Sequence, residues 1–228
     1  MNPEISDELL STLIRIKESS YVMSEEQLIN DISTIFLASE DTTSTQYSFA
    51  VLMLGMYPRI QEKVYDEIEN ILGQTTTFSI ADLNKLEYLE MFLNECVRIL
   101  PVPFYGRKVT EDFQFENFVA PEGCCVVVNA YEMHRNPIYW EKPNEFYPEH
   151  FLPANVAKRH PMAFIPFSGG PRRCLGRHYS LYLLKTVLIS TLRSYKIEAD
   201  GTLQDLKIVG DILCRIKDGY KIRLKYRD

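Results

Sequence analysis

The stretch PFSGGPRRCLGR, residues 166–177, decides how the rest of the chain is interpreted, because it places a thiol in a stiff, electropositive loop. Its three glycines allow unusual backbone conformations and the close approach of a flat ligand, while its two prolines stiffen it. Apolar periodicity over residues 176–194 predicts an amphipathic helix directly after the loop. The positive end of that helix and the adjacent Arg172 and Arg173 favour the thiolate form of Cys174.

A thiolate in this position acts either as a nucleophile or as a metal ligand. A nucleophile needs a histidine base with an orienting partner, and His178, four residues further on, has no evident partner in the sequence. A ligand needs only the thiolate and a shielded pocket. Both roles stay open on these residues alone, and ligation is the less demanding of the two.

Composition sets the broad class of protein. The chain has 228 residues, of which 46% are hydrophobic and 25% are charged, as in a globular protein with a substantial core. Its formal net charge of -6 gives no reason to expect nucleic-acid binding. The five cysteines form no C-x-x-C pair and match no zinc spacing, so those other than Cys174 are interpreted as reduced, mostly buried thiols.

The first hundred residues have a helical pattern. Apolar spacing predicts helices over 5–18, 25–55, 58–73 and 79–100. Ser79 and Asp82 have the spacing of a capping box, and Pro101 ends the last of these helices.

The pattern changes after Pro103. Residues 108–131 predict short strands joined by turns, and residues 135–166, with six prolines, predict an ordered meander. Residues 214–226 predict a hairpin that turns at Asp218 and Gly219. The expected fold class is therefore mainly α with small β-sheets.

Five positions of the cysteine loop carry a family resemblance. They fit the pattern F-x-x-G-x-R-x-C-x-G at Phe167, Gly170, Arg172, Cys174 and Gly176. This resembles the haem-binding loop of the cytochrome P450 monooxygenases. The resemblance implies that Cys174 is the axial thiolate on haem iron, that Arg172 pairs with a haem propionate, and that Phe167 packs near the sulfur.

The segment ASEDTTS, residues 38–44, lies within the predicted long helix and is similar to the family's A-G-x-(D/E)-T-T motif. A threonine within a helix can donate its hydroxyl to the carbonyl four residues back, here from Thr42 to Ala38. The resemblance implies that Thr42 holds dioxygen and that Asp41 relays protons. Ser39 stands where the family usually has glycine.

The segment NECVR, residues 94–98, matches the family's E-x-x-R motif, in which Glu95 and Arg98 share one helix face. That face is largely apolar, so a paired charge is expected. The family typically follows with P-E-R-F, but this chain has PEHF, with His150 in the arginine's position. We expect His150 to bond Glu95 and to give a weaker, pH-sensitive clasp.

Two further residues are assigned by resemblance. Arg107 lies where the family has another propionate partner, and His134 matches a position near the haem edge. The implied cofactor is haem.

The resemblance extends over the whole chain but only over the latter half of the family's fold. Residues 1–228 are therefore expected to form a partial cytochrome P450 domain, the C-terminal haem-binding portion, with the N-terminal half absent. Its expected parts are the long central helix, the E-x-x-R helix, the meander, the cysteine loop, the proximal helix and a terminal β-hairpin. The loss of one pocket wall is expected to expose apolar surface.

The implied activity is insertion of one oxygen atom of O2 into a small lipophilic substrate, with electrons from NADPH-cytochrome P450 reductase. The helix sequence and PEHFLPAN, residues 148–155, look most like the eukaryotic microsomal group that includes insect enzymes and fatty-acid hydroxylases. That group implies the cytosolic face of the endoplasmic reticulum membrane. A basic patch of Lys158, Arg159, Arg173 and Arg177 is a candidate reductase docking surface.

Two other functions are compatible with the same residues. One is a non-catalytic truncated remnant that binds haem weakly, or binds a partner protein, without turnover. The other is a family member that rearranges peroxides without dioxygen, which the pair Asp41 and Thr42 disfavours because such an enzyme needs no proton relay.

Overall fold

The computed structural model describes residues 9–19 and 23–227, and the chain divides into two compact units, residues 1–44 and 45–228. The first unit holds α1 (Leu9–Ser19) and the start of α2 (Glu25–Met56). Ser24 and Gln27 exchange side-chain and backbone hydrogen bonds of 3.1 and 2.8 Å, which fixes the start of α2. The predicted long helix is thus confirmed. Part of the predicted first helix, residues 5–8, lies outside the described residues.

The second unit is organised around a helical core. α3 (Pro58–Leu72) begins at a proline and ends at Gly73, whose φ of 54° favours glycine, as the sequence predicts. The capping box of Ser79 and Asp82 is present at the start of α4 (Ile80–Leu83). α5 (Glu87–Ile99) carries the E-x-x-R motif.

The predicted single helix over 79–100 is wrong, because the chain turns between α4 and α5. At this turn lies Lys185, whose buried ammonium donates to the carbonyls of Leu83 and Leu86 at 2.8 and 3.3 Å. It also pairs with Glu90 at 2.8 Å. The two carbonyls at the break thus accept from this distant side chain in addition to the amides of Leu86 and Glu90.

Small sheets follow, as predicted. β1 (Phe104–Lys108) pairs with β4 (Cys125–Asn129), and β2 (Phe113–Gln114) pairs with β3 (Val119–Ala120), both antiparallel. In the first sheet Tyr105 lies opposite Val128.

The meander is ordered and consists of short turns that begin at prolines. After α6 (Ala130–Met133) come a 3-10 turn at Pro148–Phe151, α7 (Pro153–Val156) and a second 3-10 turn at Pro161–Ala163. Proline at the first position of each turn loses no hydrogen bond there. This segment leads into the cysteine loop.

The cysteine loop leads directly into α8 (Arg177–Ser194), which confirms the helix predicted there. One apolar core joins α8 to three other helices. Its members include Phe49 and Leu52 of α2, Val64 and Ile68 of α3, Leu89 and Phe92 of α5, and Leu188 and Leu192 of α8.

The predicted terminal hairpin is wrong in its pairing. β7 (Cys214–Ile216) pairs with β6 (Ile208–Gly210), whereas β8 (Arg223–Tyr226) pairs with β5 (Tyr195–Glu198). The turn at Gly219 exists, with φ of 79°, but it connects strands of different sheets. Opposite charges across β5 and β8, such as Glu198 and Lys225 at 2.6 Å, favour the observed partner.

The fold class is confirmed as mainly helical with small antiparallel sheets. Among residues 9–19 and 23–227, no helix is long and apolar enough to cross a membrane.

Candidate functional site

The cysteine loop presents Cys174 at the surface, three residues before α8 begins. The Cys174 amide donates to the Phe167 carbonyl at 2.9 Å, which closes the loop. Gly170 has a φ of 73°, so only glycine adopts this conformation without strain. A Cβ built at Gly169 or Gly170 would meet no atom within 4 Å, so this side of the loop is open.

Strand β1 holds the loop from outside. The Tyr105 hydroxyl donates to the Pro166 carbonyl at 2.6 Å, and Arg107 donates to the Ser168 hydroxyl at 2.7 Å. Ser168 has a φ of 60°, a strained value for a residue other than glycine. Arg107 also donates to the Gly106 carbonyl at 2.8 Å.

The residues around Cys174 fit a haem. Among the described residues, no group of three or more His, Cys, Asp or Glu side chains is arranged to hold a bare metal ion. A single thiolate suits a metal that brings four porphyrin nitrogens of its own. Leu175 is 85% exposed beside the sulfur, and Arg172 is exposed in the same loop, which offers apolar surface and a cation.

A cavity of about 640 Å³ lies beside the loop, between α5, the meander and the start of α8. Phe167 and Ser168 of the loop are among the residues that line it, whereas Cys174 is not.

Thr42 and Asp41 lie in the first unit, on α2, and both are half-buried. The Thr42 hydroxyl donates to the Ala38 carbonyl at 2.7 Å, which confirms the predicted bond. Ser39 makes a similar bond of 3.0 Å to Phe36, so two carbonyls here accept an additional donor. Phe36 itself is 67% exposed, in line with the expected apolar surface.

Glu95 and Arg98 form a buried ion pair that holds the meander. Arg98 uses all five N–H donors, two of them to the Glu95 carboxylate at 2.7 and 2.8 Å. The other three go to the carbonyls of His134, Pro143 and Glu145 at 2.8 to 2.9 Å. Both side chains are 0% exposed, so full pairing is a condition for burying these charges.

His150 completes this arrangement, which we call the clasp: Glu95, Arg98 and His150. Its Nδ1 lies 3.2 Å from one Glu95 oxygen, so the expected contact is present. Its Nε2 faces the Glu141 carbonyl. Both partners can only accept, so both nitrogens are satisfied only when the ring is doubly protonated.

Burial raises the pKa of Glu95, but the hydrogen bonds from Arg98 and His150 outweigh that effect, so its pKa lies below the ordinary value. The Glu95 carboxylate therefore stays charged inside the protein.

His134, expected near the haem edge, lies in the protein interior. Its ring is 0% exposed, and its Nε2 accepts from the Ile165 amide at 3.1 Å. Burial, with the positive charges of Arg98 and Arg135, lowers its pKa to about 3, so the ring is neutral. This placement supports a structural role, and the predicted contact with haem stays a prediction.

Trp140 and Arg159, which contact the clasp, were not predicted as members of the site. Arg98 and Arg159 both stack on Trp140, with their Cζ atoms 5.0 and 3.8 Å from the ring centroid. Arg159 also donates to the His150 carbonyl at 3.3 Å. The predicted basic patch therefore loses Arg159 to the clasp, whereas Lys158, Arg173 and Arg177 are exposed. A lone tryptophan in a proline-rich segment gave no local signal of this stacking.

The other cysteines fit their interpretation in part. All five are free; Cys96 and Cys214 are buried, but Cys125 is exposed on β4 and Cys124 is half-buried. Burial raises the pKa of Cys96 well above its ordinary value, as expected for an inert core thiol.

The fold and site together present one exposed thiol from a loop that a neighbouring strand holds and that leads directly into a helix. The comparison with known families agrees with this arrangement. The chain belongs to the cytochrome P450 family, whose sequence profile matches residues 2–223.

Curated relatives support the same assignment. The chain is 36% identical over 222 residues to cytochrome P450 4c3 of Drosophila melanogaster, covering 96% of this chain and 42% of the relative. It is 35% identical over 208 residues to human cytochrome P450 4V2, covering 90% of this chain and 40% of the relative. Cytochrome P450 4g15 of Drosophila melanogaster is 35% identical over 224 residues, covering 96% of this chain and 39% of that protein. The chain thus spans about two fifths of the length of these relatives, which include insect enzymes as the sequence predicts.

Proposed function

We propose that residues 1–228 are the C-terminal haem-binding portion of a cytochrome P450 monooxygenase, which inserts one oxygen atom of O2 into a lipophilic substrate. The observation that carries the proposal is Cys174 itself. It is an exposed thiol in a loop closed by its own amide, fixed by β1, and followed at once by a helix N-terminus.

Each residue of the loop has a proposed role. Cys174 provides the sulfur ligand, Arg172 and Arg107 pair with the haem carboxylates, and Phe167 packs beside the sulfur. Gly170 and Gly176 have no side chains, so a flat ring can approach the backbone closely. When bound, the haem supplies the redox chemistry of oxygen activation.

The helix α2 has a proposed role in proton transfer. The Thr42 hydroxyl, already bonded to Ala38, holds a proton that Asp41 replenishes from solvent. The clasp has no part in the chemistry; it fixes the meander that leads into the cysteine loop.

Partners and location follow from the family alone. Electrons are proposed to come from NADPH-cytochrome P450 reductase, docked near exposed Lys158, Arg173 and Arg177. The proposed location is the cytosolic face of the endoplasmic reticulum, and the substrate class is lipophilic.

The test is reconstitution of the chain with haem, followed by reduction and addition of carbon monoxide. A strongly red-shifted Soret band, with oxidation of a fatty acid that requires NADPH and the reductase, is expected. A bound haem with an unshifted band and no turnover would instead support the non-catalytic remnant. Turnover of a peroxide without NADPH or reductase would support the peroxide-rearranging activity.

A further inference from the structure

Tyr105 is tied to the cysteine loop by a contact that the motif pattern does not contain. Its hydroxyl donates to the Pro166 carbonyl at 2.6 Å, a short and well-formed bond between neutral groups. Tyr105 is half-buried on β1, and its position is set by antiparallel pairing with Val128 of β4. The hydroxyl therefore extends from a fixed strand to an otherwise irregular segment.

The Pro166 carbonyl is directly followed by Phe167, whose own carbonyl closes the loop. The Phe167 carbonyl accepts from the Cys174 amide at 2.9 Å, and the Ser168 amide donates to Ile165 at 3.1 Å. Three consecutive residues, 166 to 168, are thus each held by a hydrogen bond, and two of those bonds come from β1. A shift at Pro166 passes directly through one peptide unit to the partner of the Cys174 amide.

The phenol is a permanent donor. Burial raises the pKa of Tyr105 to about 12, despite an opposing effect of the Ser168 backbone. The hydroxyl therefore keeps its proton at neutral pH and stays able to donate to the Pro166 carbonyl.

We propose that Tyr105 is a positioning residue for Cys174: its hydroxyl fixes the Pro166 carbonyl and, through the adjoining peptide, the loop that presents the sulfur. This inference rests on the proposed function where it concerns haem, but its effect on the loop does not depend on haem.

The test is Tyr105→Phe in the whole chain, with Tyr47→Phe as a matched control. Tyr47 is also half-buried and loses a similar hydroxyl bond, 2.8 Å to Thr191, at the far end of α8. Amide hydrogen exchange is measured without haem over residues 164–176. Exchange in Tyr105→Phe is expected to be about fivefold faster, the factor that corresponds to the loss of about 1 kcal/mol. The control is expected to match the unchanged chain there.

The second measurement uses the haem-reconstituted proteins. Tyr105→Phe is expected to give a smaller share of the red-shifted Soret band with carbon monoxide, and about fivefold faster loss of haem to apomyoglobin. Equal exchange in Tyr105→Phe and the unchanged chain overturns the proposal, as does faster exchange with an unaltered spectrum. If the unchanged chain itself gives no red-shifted band, the proposed function fails, while the exchange rates still decide the role of Tyr105.

Discussion

Replacing Glu95 by glutamine tests the clasp most severely, because it removes one charge and preserves the shape. The carboxylate accepts two bonds from Arg98, one from the Tyr147 amide at 2.8 Å and one from His150. In Glu95→Gln one of these oxygens becomes an NH2 group that faces donors, and Arg98 stays buried without a counter-charge. Removal of one partner of a buried ion pair costs about 3–5 kcal/mol.

That loss is large beside a total stability of about 5–15 kcal/mol for a folded protein. With a urea dependence of about 3 kcal/mol per molar at most, the unfolding midpoint is expected to fall by about 1 M or more. The control is Glu198→Gln, which removes a carboxylate paired with Lys225 on the sheet surface. Its midpoint is expected to stay close to that of the unchanged chain.

Acidification adds a second arm to this experiment. The pKa of Glu95 is lower in the folded protein than in the unfolded chain. Its charge therefore adds its full share to the free energy of unfolding above the unfolded-state pKa of about 4.3, and this share is lost as the pH falls through the folded-state pKa. The difference in urea midpoint between the unchanged chain and Glu95→Gln should therefore become smaller at acidic pH. A difference that is small at neutral pH, or that does not change on acidification, would refute the reasoning.

Three further predictions concern stability, each measured as a urea midpoint. His150→Arg should stabilise the chain, because a guanidinium can donate both to the Glu95 carboxylate and to the Glu141 carbonyl that the ring faces; an unchanged midpoint would show that His150 already closes the clasp as well as an arginine. Lys185→Met should cost about 1–3 kcal/mol, because the carbonyls of Leu83 and Leu86 each lose one of two donors and Glu90 loses its ion-pair partner; an unchanged midpoint would contradict this role of the ammonium. Gly55→Ala should cost about 1–3 kcal/mol, since its Cβ would lie 2.8 Å from that of Ala199; Gly210→Ala, which meets nothing within 4 Å, is the control and should not show this loss.

Local sequence signals were sufficient where residues at a helix end fix that end themselves. Pro58 and Gly73 bound α3, and the Ser79 capping box starts α4, because the interactions that fix these ends lie within a few residues. The pairing of Glu95 with Arg98 was predictable for the same reason, since residues three apart share one helix face.

Long-range partners account for the failures. The turn between α4 and α5 receives a buried ammonium from Lys185 of α8, a contact that no local pattern predicts. The strands that flank Gly219 look like a hairpin, yet each finds its partner in a segment further upstream. Sequence periodicity specifies a strand but not its neighbour.

The site also contains residues that local spacing predicts and residues that distant segments contribute. The motif located Cys174 and the residues of its loop, because their spacing along the chain is itself the signal. The supports of the site come from elsewhere: Tyr105 from β1 and Arg159 from the meander, through a hydroxyl bond and a ring contact.

The central claim is that the Cys174 sulfur is the protein's bond to haem iron. The most direct measurement is the Soret band of the reduced, carbon monoxide-treated protein after Cys174→Ala, beside Cys125→Ala, which removes another exposed thiol. We expect the red shift to vanish in the first variant and to persist in the second. An unchanged red shift in Cys174→Ala would contradict the account.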